Sequence, residues 1–275
     1  MNTLNYYLQE RAYTGATIAE VENSFREIAA MLEDRCNLDF FCMNSNFLST
    51  KWHKKLQIYN LLYDEDSQID NSIRNKVAPY VLRRIMQSYG PYSNIDNFRQ
   101  DAGPKKGCYF LGAKFPAQQE YEIKKYTEYI SKREKFLKEN ITPRVCEKYL
   151  SCLLRRVVLT KEGLENLIYA PYFKATVEDL ITLEKYISEN WNSGRFDLNS
   201  VRLHTSLDIS DESDTVKNNP KKLLQRNFYI TEKLGYKVCL IHIKIGEERV
   251  YIYPDNTERK IYIPYIGGHK STKKY

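Results

Sequence analysis

The sequence predicts an α+β chain: a mainly helical N-terminal domain followed by a small antiparallel β module. Three observations predict it. Through roughly the first 190 residues, apolar side chains recur at intervals of three and four. From Arg226 onward the interval becomes two. The strand candidates defined in this way are joined by turns short enough to require antiparallel pairing.

The helices follow in order. Thr17-Ile-Ala-Glu20 is a capping box, with the threonine hydroxyl taking a free N–H and the glutamate reaching back. Ile18, Val21, Phe25, Ile28 and Leu32 then form one apolar stripe. A second helix is expected from about Thr50, with Trp52, Leu56, Tyr59 and Tyr63 on one face. A third covers Ile69 to Gln87, with Ile73, Val77, Val81 and Ile85 inward and Pro79 kinking or dividing it. Tyr89 to Pro116 is rich in Gly and Pro and reads as a long loop. A charged helix from about Ala117 to Glu139 carries Ile123, Tyr126, Ile130 and Leu137. Helices also fit Thr142–Val158 and Thr160–Tyr169. Another starts at Thr176, capped with Asp179, and carries Leu180, Leu183 and Ile187. Such stripes form cores, and no chemistry is assigned to them.

The helical domain is expected to span 1–191. Residues 192–225 read as an acidic and polar loop region with one strand-like piece, Val201–His204, and 226–275 as the basic β module. Within the module the strand candidates are Arg226–Thr231, Tyr236–Ile245, Arg249–Tyr253 and Lys260–Ile266. The turns between them are Glu232–Gly235, Gly246–Glu248 and Pro254–Asn256.

Composition narrows the function classes. The first residues carry charges and no apolar signal core, and no window approaches eighteen apolar residues, so no membrane contact and a cytoplasmic location are expected. Six cysteines without a C-x-x-C pair fit reduced, mostly buried thiols, and no histidine stands at zinc-ligand spacing from them. Charge is more informative once localised. Thr215–Tyr275 holds 13 Lys and Arg against 5 Asp and Glu, a net +8, whereas the preceding residues hold 29 against 30. A field so concentrated favours a polyanionic partner, nucleic acid first.

Several constellations can be set aside. Gly107–Lys114 lacks the Gly-Lys-Ser/Thr succession of a phosphate-binding loop. His242-x-Lys244 is followed by Arg249 where phospholipase D chemistry needs an aspartate. No cofactor is expected. His204, Asp208 and Glu212 form an alternative in which a metal-dependent nuclease uses the acidic run. The stronger constellation is on the β module, where His242 and Lys244 share one strand face and Arg249, Tyr251 and Tyr253 share one face of the next. His269, Lys270 and Tyr275 follow. Clustered His, Lys, Arg and Tyr suit metal-free RNA cleavage, in which an activated 2′-OH attacks phosphorus, a cation stabilises the phosphorane and an acid protonates the leaving oxygen.

Ile241–Tyr275 resembles the C-terminal half of RelE/ParE-superfamily toxins, many of which cleave mRNA. The similarity rests on a basic strand with His242 and Lys244, a Gly turn, the Arg249-Val-Tyr-Ile-Tyr253 strand, a hydrophobic strand, then Gly267, His269 and Tyr275. It implies paired helices directly before the sheet. It also implies roles: Arg249 braces the scissile phosphate, His269 occupies a catalytic position and Tyr275 contacts the RNA. On this basis His242 and His269 are expected as acid and base, Lys244 and Arg249 as phosphate stabilisers and Tyr275 as the RNA-positioning residue. Lys221, Lys222, Arg226, Lys270, Lys273 and Lys274 are expected to touch nucleic acid as well. The functional expectation is a toxin-like endoribonuclease or RNA-binding effector of a bacterial defence system, acting on RNA ahead of DNA. A protein partner is expected on the helical domain. The rival is a non-catalytic nucleic-acid-binding subunit of a larger assembly.

Overall fold

The computed structural model describes residues 3–53, 56–64, 67–86, 95–116 and 119–270, and the chain separates into two units, Met1–Asn140 and Ile141–Tyr275. The chain mixes α and β structure. The boundary at Asn140 falls well before the one expected at 191, because the period switch marks a change of element type and not the edge of a core.

Helical residues outnumber strand residues in the first unit, as expected, but its helices are arranged with a parallel sheet that was not. Strands β1 (Leu4–Leu8), β2 (Asp39–Met43), β5 (Cys108–Leu111) and β6 (Glu122–Ile123) run parallel in the order β2-β1-β5-β6. All five residues of β1 and all four of β5 are buried. Strands covered on both faces lose the polar alternation that identifies a strand in sequence. The Gly107–Gly112 segment, expected in a loop, therefore holds a central strand. A Cβ on Gly112 would stand 2.2 Å from the Ala12 Cβ, so this glycine serves close packing.

Helix α1 (Ile18–Glu33) begins with the expected capping box, and Val21, Phe25, Ile28 and Leu32 are buried. The helix expected from Thr50 is instead a short hairpin, β3 (Lys51–His53) with β4 (Leu56–Gln57), leading into α2 (Ile58–Tyr63). Leu56, Tyr59 and Tyr63 face solvent. Before α3 (Ala78–Met86), residues Ile73–Val77 widen into a π turn. Pro79 lacks an N–H and its ring crowds the carbonyl four residues back, which a wider turn relieves. Helix α4 is Ile95–Asp101 and α5 is Tyr126–Asn140. The α5 seam is Tyr129, Arg133, Phe136 and Leu137, and Ile123 belongs to β6. Arg133 is buried because Asp34 and Asp39 meet its guanidinium at 2.8 and 3.3 Å.

The second unit begins with α6 (Cys146–Leu153), β7 (Val157–Leu159), α7 (Lys161–Ile168) and α8 (Phe173–Asn190). Thr160 caps α7 by accepting from Gly163 N. Thr176 is not a cap: it lies inside α8, buried, and donates to Tyr172 O. The Glu184 carboxylate on α8 accepts from the N–H groups of Arg155, Arg156 and Val157, which fixes the start of β7.

The expected 192–225 loop holds α9 (Leu198–His204), β8 (Ile209–Asp211), α10 (Asp214–Lys217) and α11 (Pro220–Leu224), so Val201–His204 is helical. Strands β9 (Asn227–Thr231) and β10 (Gly235–Val238) form a separate hairpin. The candidate Tyr236–Ile245 therefore divides near Cys239, whose N–H donates to Arg226 O. Strands β11 (Ile241–Ile245), β12 (Glu248–Asp255) and β13 (Lys260–Gly268) make the expected antiparallel meander in a sheet ordered β7-β13-β12-β11-β8, with β7 parallel to β13. Helix α7 presses on β13 so closely that a Cβ on Gly163 would lie 2.0 Å from Ile263 O. Phe228, Ile230 and Cys239 pack with Tyr251 and Tyr262 of the sheet.

Cys42, Cys108, Cys146 and Cys239 are free and buried, whereas Cys36 and Cys152 are half-cystines, which their sequence spacing does not suggest. Among the described residues, no helix is long and apolar enough to cross a membrane.

Candidate nucleic-acid interface

The register of the meander decides which side chains share a face. Lys244 lies opposite Arg249 and Arg249 opposite Gly267, while His242 lies opposite Tyr251 and Tyr251 opposite Tyr265. Because alternate residues point the same way, His242, Lys244, Arg249, Tyr251, Tyr265 and Gly267 stand on one face. The sequence leaves open whether Arg249 shares the face of His242; the register shows that it does, and the two rows of that face differ in burial.

The inner row is covered. Tyr251 is fully buried, with Phe228 against it and against Tyr265 at ring separations of 5.5 and 5.4 Å, and His242 is 4% exposed, with its ring against Tyr251 at 5.5 Å. His242 Nε2 lies 3.2 Å from Ser210 Oγ, and its Nδ1 has no hydrogen-bond partner among the described residues. Burial pushes its pKa down to about 4. The nearby Glu212 carboxylate, 3.9 Å away, opposes that shift, and Arg249, Lys244 and His269 reinforce it. His242 is thus a neutral ring at pH 7, out of reach of a polymer. His269, beyond the end of β13, is exposed. The two imidazoles expected to divide acid and base duties occupy unlike environments, so His242 is corrected from a catalytic residue to a buried one.

Arg226 requires the same correction. It is completely buried, its Nε donates to Glu212 Oε1 at 2.5 Å, and its two terminal nitrogens donate to Lys222 O and Lys270 O. Tyr251 OH donates to the same Glu212 oxygen at 3.1 Å. Lys222 is buried as well and Lys221 is exposed. A basic run in the sequence does not reveal which member must answer a buried carboxylate. Glu212 itself, expected in a solvated acidic loop, is that carboxylate.

The outer row remains accessible. Lys244 is partly exposed, and its Nζ is 3.5 Å from Asp208 Oδ1. Arg249 is partly exposed and donates through Nη1 to Gly246 O and Glu248 O, while its Nε is buried and has no partner among the described residues. Lys270 Nζ sits 3.8 Å from the Tyr265 ring centroid, a cation–π contact. Lys273, Lys274 and Tyr275 lie outside the described residues. Sequence reasoning misses Ser210 and Tyr265, although Tyr265 stands two before Gly267 on the same strand.

The metal-dependent alternative loses its ligand set. His204 Nδ1 lies 2.8 Å from Ser200 O, Asp208 faces Lys244 and Glu212 is held by Arg226. Among the described residues, no three His, Cys, Asp or Glu are grouped to hold a metal ion. No protein-family model, curated protein or solved structure matches the chain.

Proposed function

We propose that residues 141–275 form a RelE-like module that binds RNA through the open row of its sheet face, with Lys244, Arg249, His269 and Lys270 on the phosphates. The observation that carries this reading is the cross-strand pairing of Lys244 with Arg249, two cations side by side at the partly exposed end of the sheet face. The paired helices implied by the resemblance have a counterpart in α7 and α8, which follow β7 of the same sheet and are separated from β11 by residues 191–240, where β8 lies. Binding without cleavage is favoured because metal-free cleavage needs an acid and a base at the phosphate, and His242 is buried. The expectation of a protein partner attaches to the first unit, where Leu56, Tyr59 and Tyr63 are exposed.

The test is RNA binding by the full chain across a salt series, with a denaturing gel run with and without EDTA. Binding should weaken steeply with salt. Lys244→Glu or Arg249→Glu should lower affinity and reduce the salt slope by about one for each phosphate no longer neutralised. The RNA should stay intact. Cleavage that survives EDTA and disappears in His269→Ala would replace binding with catalysis, and salt-independent binding would end the proposal.

A further inference from the structure

The β9–β10 hairpin has one face spent on the core and one that is not. Phe228 and Ile230 point inward and are buried. On the other face Tyr229 and Tyr236 are cross-strand partners, 45% and 68% exposed, with ring centroids 5.5 Å apart. Val238 is exposed beside them. Solvent-facing strand positions ordinarily carry polar side chains, and although a cross-strand ring pair steadies its hairpin, two adjacent rings this open also offer flat faces to a ligand. The charge setting narrows that ligand. The hairpin belongs to the Thr215–Tyr275 segment with its net +8. Lys270 Nζ stands 5.9 Å from the ring centroid of Phe228, on the inward face of the hairpin, so the cationic row meets the hairpin at its edge and the tyrosine pair lies on the opposite face.

We propose that Tyr229 and Tyr236 form a stacking platform for unpaired bases, which makes single-stranded RNA the substrate class of this module. The idea rests on the RNA-binding reading above. A basic strip tracks phosphates, aromatic rings take base faces, and a duplex hides those faces, so both elements together select single strands.

The experiment compares the full chain with Tyr229→Ala, Tyr236→Ala and the corresponding Phe variants by fluorescence anisotropy. The probes are an unpaired oligonucleotide of about ten nucleotides and a duplex of equal phosphate count, and sedimentation is run in parallel. Each Ala variant should bind the unpaired strand about 5- to 150-fold more weakly, bind the duplex unchanged, and be rescued by Phe. If the Ala variants bind the single strand like wild type while Lys244→Glu does not, the platform is refuted and the RNA reading stands. If wild type binds neither probe, the RNA reading fails. Self-association abolished by the Ala substitutions would make a second copy of the chain the occupant and overturn the proposal.

Discussion

Protonating His242 in the folded chain would place a cation in a buried site beside Arg249, Lys244 and His269 and against one carboxylate already held by Arg226. The folded chain therefore resists that proton, and its pKa falls from 6.5 to about 4. In the unfolded chain His242 titrates near its ordinary value. A depressed histidine pKa means that acid favours unfolding: the contribution of the neutral ring is fully present above about pH 6.5 and is lost as pH falls toward 4. The shift of about 2.5 units, at about 1.4 kcal/mol per unit, gives about 3 kcal/mol. With the side chain 5% exposed, no large discount for solvent applies. Relative to a typical domain stability of roughly 5–15 kcal/mol, the effect is measurable.

The chain has two tryptophans, and buried Trp191 lies in the second unit. In a Trp52→Phe background, its fluorescence reports urea unfolding of that unit. Wild type should lose about 3 kcal/mol more than His242→Gln between roughly pH 7.5 and pH 4. Glutamine keeps a polar partner for Ser210 and removes the titration. Equal acid sensitivity in the two proteins would show that His242 is not held neutral by burial, and the separation of the two rows would lose its electrostatic basis.

Two further outcomes follow from packing. Glu212→Gln strips the counter-charge from fully buried Arg226 and should cost about 3–5 kcal/mol in the same urea assay. The double change Glu212→Leu with Arg226→Met should recover most of that loss, and a stable Glu212→Gln protein would contradict the ion pair. Gly163→Ala drives a methyl into Ile263 O, where neither α7 nor β13 backbone yields readily. It should destabilise by about 3 kcal/mol and lower the melting temperature by on the order of 10 °C, and an unchanged melting curve would refute the close α7–β13 contact.

What the sequence discloses tracks how local each interaction is. The Thr17 capping box spans four residues and is legible, as is the meander, whose alternation and turns lie within one short stretch. Strand β5 is not, because its partners begin at Asn5, across a hundred residues of chain, and its burial on both faces removes the periodic signal. Arg226 depends likewise on Glu212, which no charge count reveals. Face sharing between His242 and Arg249 is close to legible. Pairing of Ile245 with Glu248 leaves Gly246 and Glu247 as a two-residue turn, with Gly246 at φ 55°, and that register sets Lys244 opposite Arg249. Counting Glu248 into the turn leaves the register open, and one residue of slip reverses every side chain.

The element that reshapes the expected site is the segment between α8 and β11. It supplies β8 against β11, the hairpin with Phe228 over Tyr251 and Tyr265, and both Glu212 and Arg226 beneath them. One sheet face is thereby divided within a single strand: His242 is committed to the interior, and Lys244, two residues on, reaches solvent. A family-style reading that projects four polar groups onto one open face fails at that covered row, for a reason that lies outside the resembling segment. The same hairpin that covers Tyr251 with Phe228 presents Tyr229 and Tyr236 on its own outer side. Buried Phe228 and Ile230 and exposed Tyr229 and Tyr236 are the two faces of one hairpin, and the proposed selectivity for unpaired RNA is expected to depend on that hairpin staying closed.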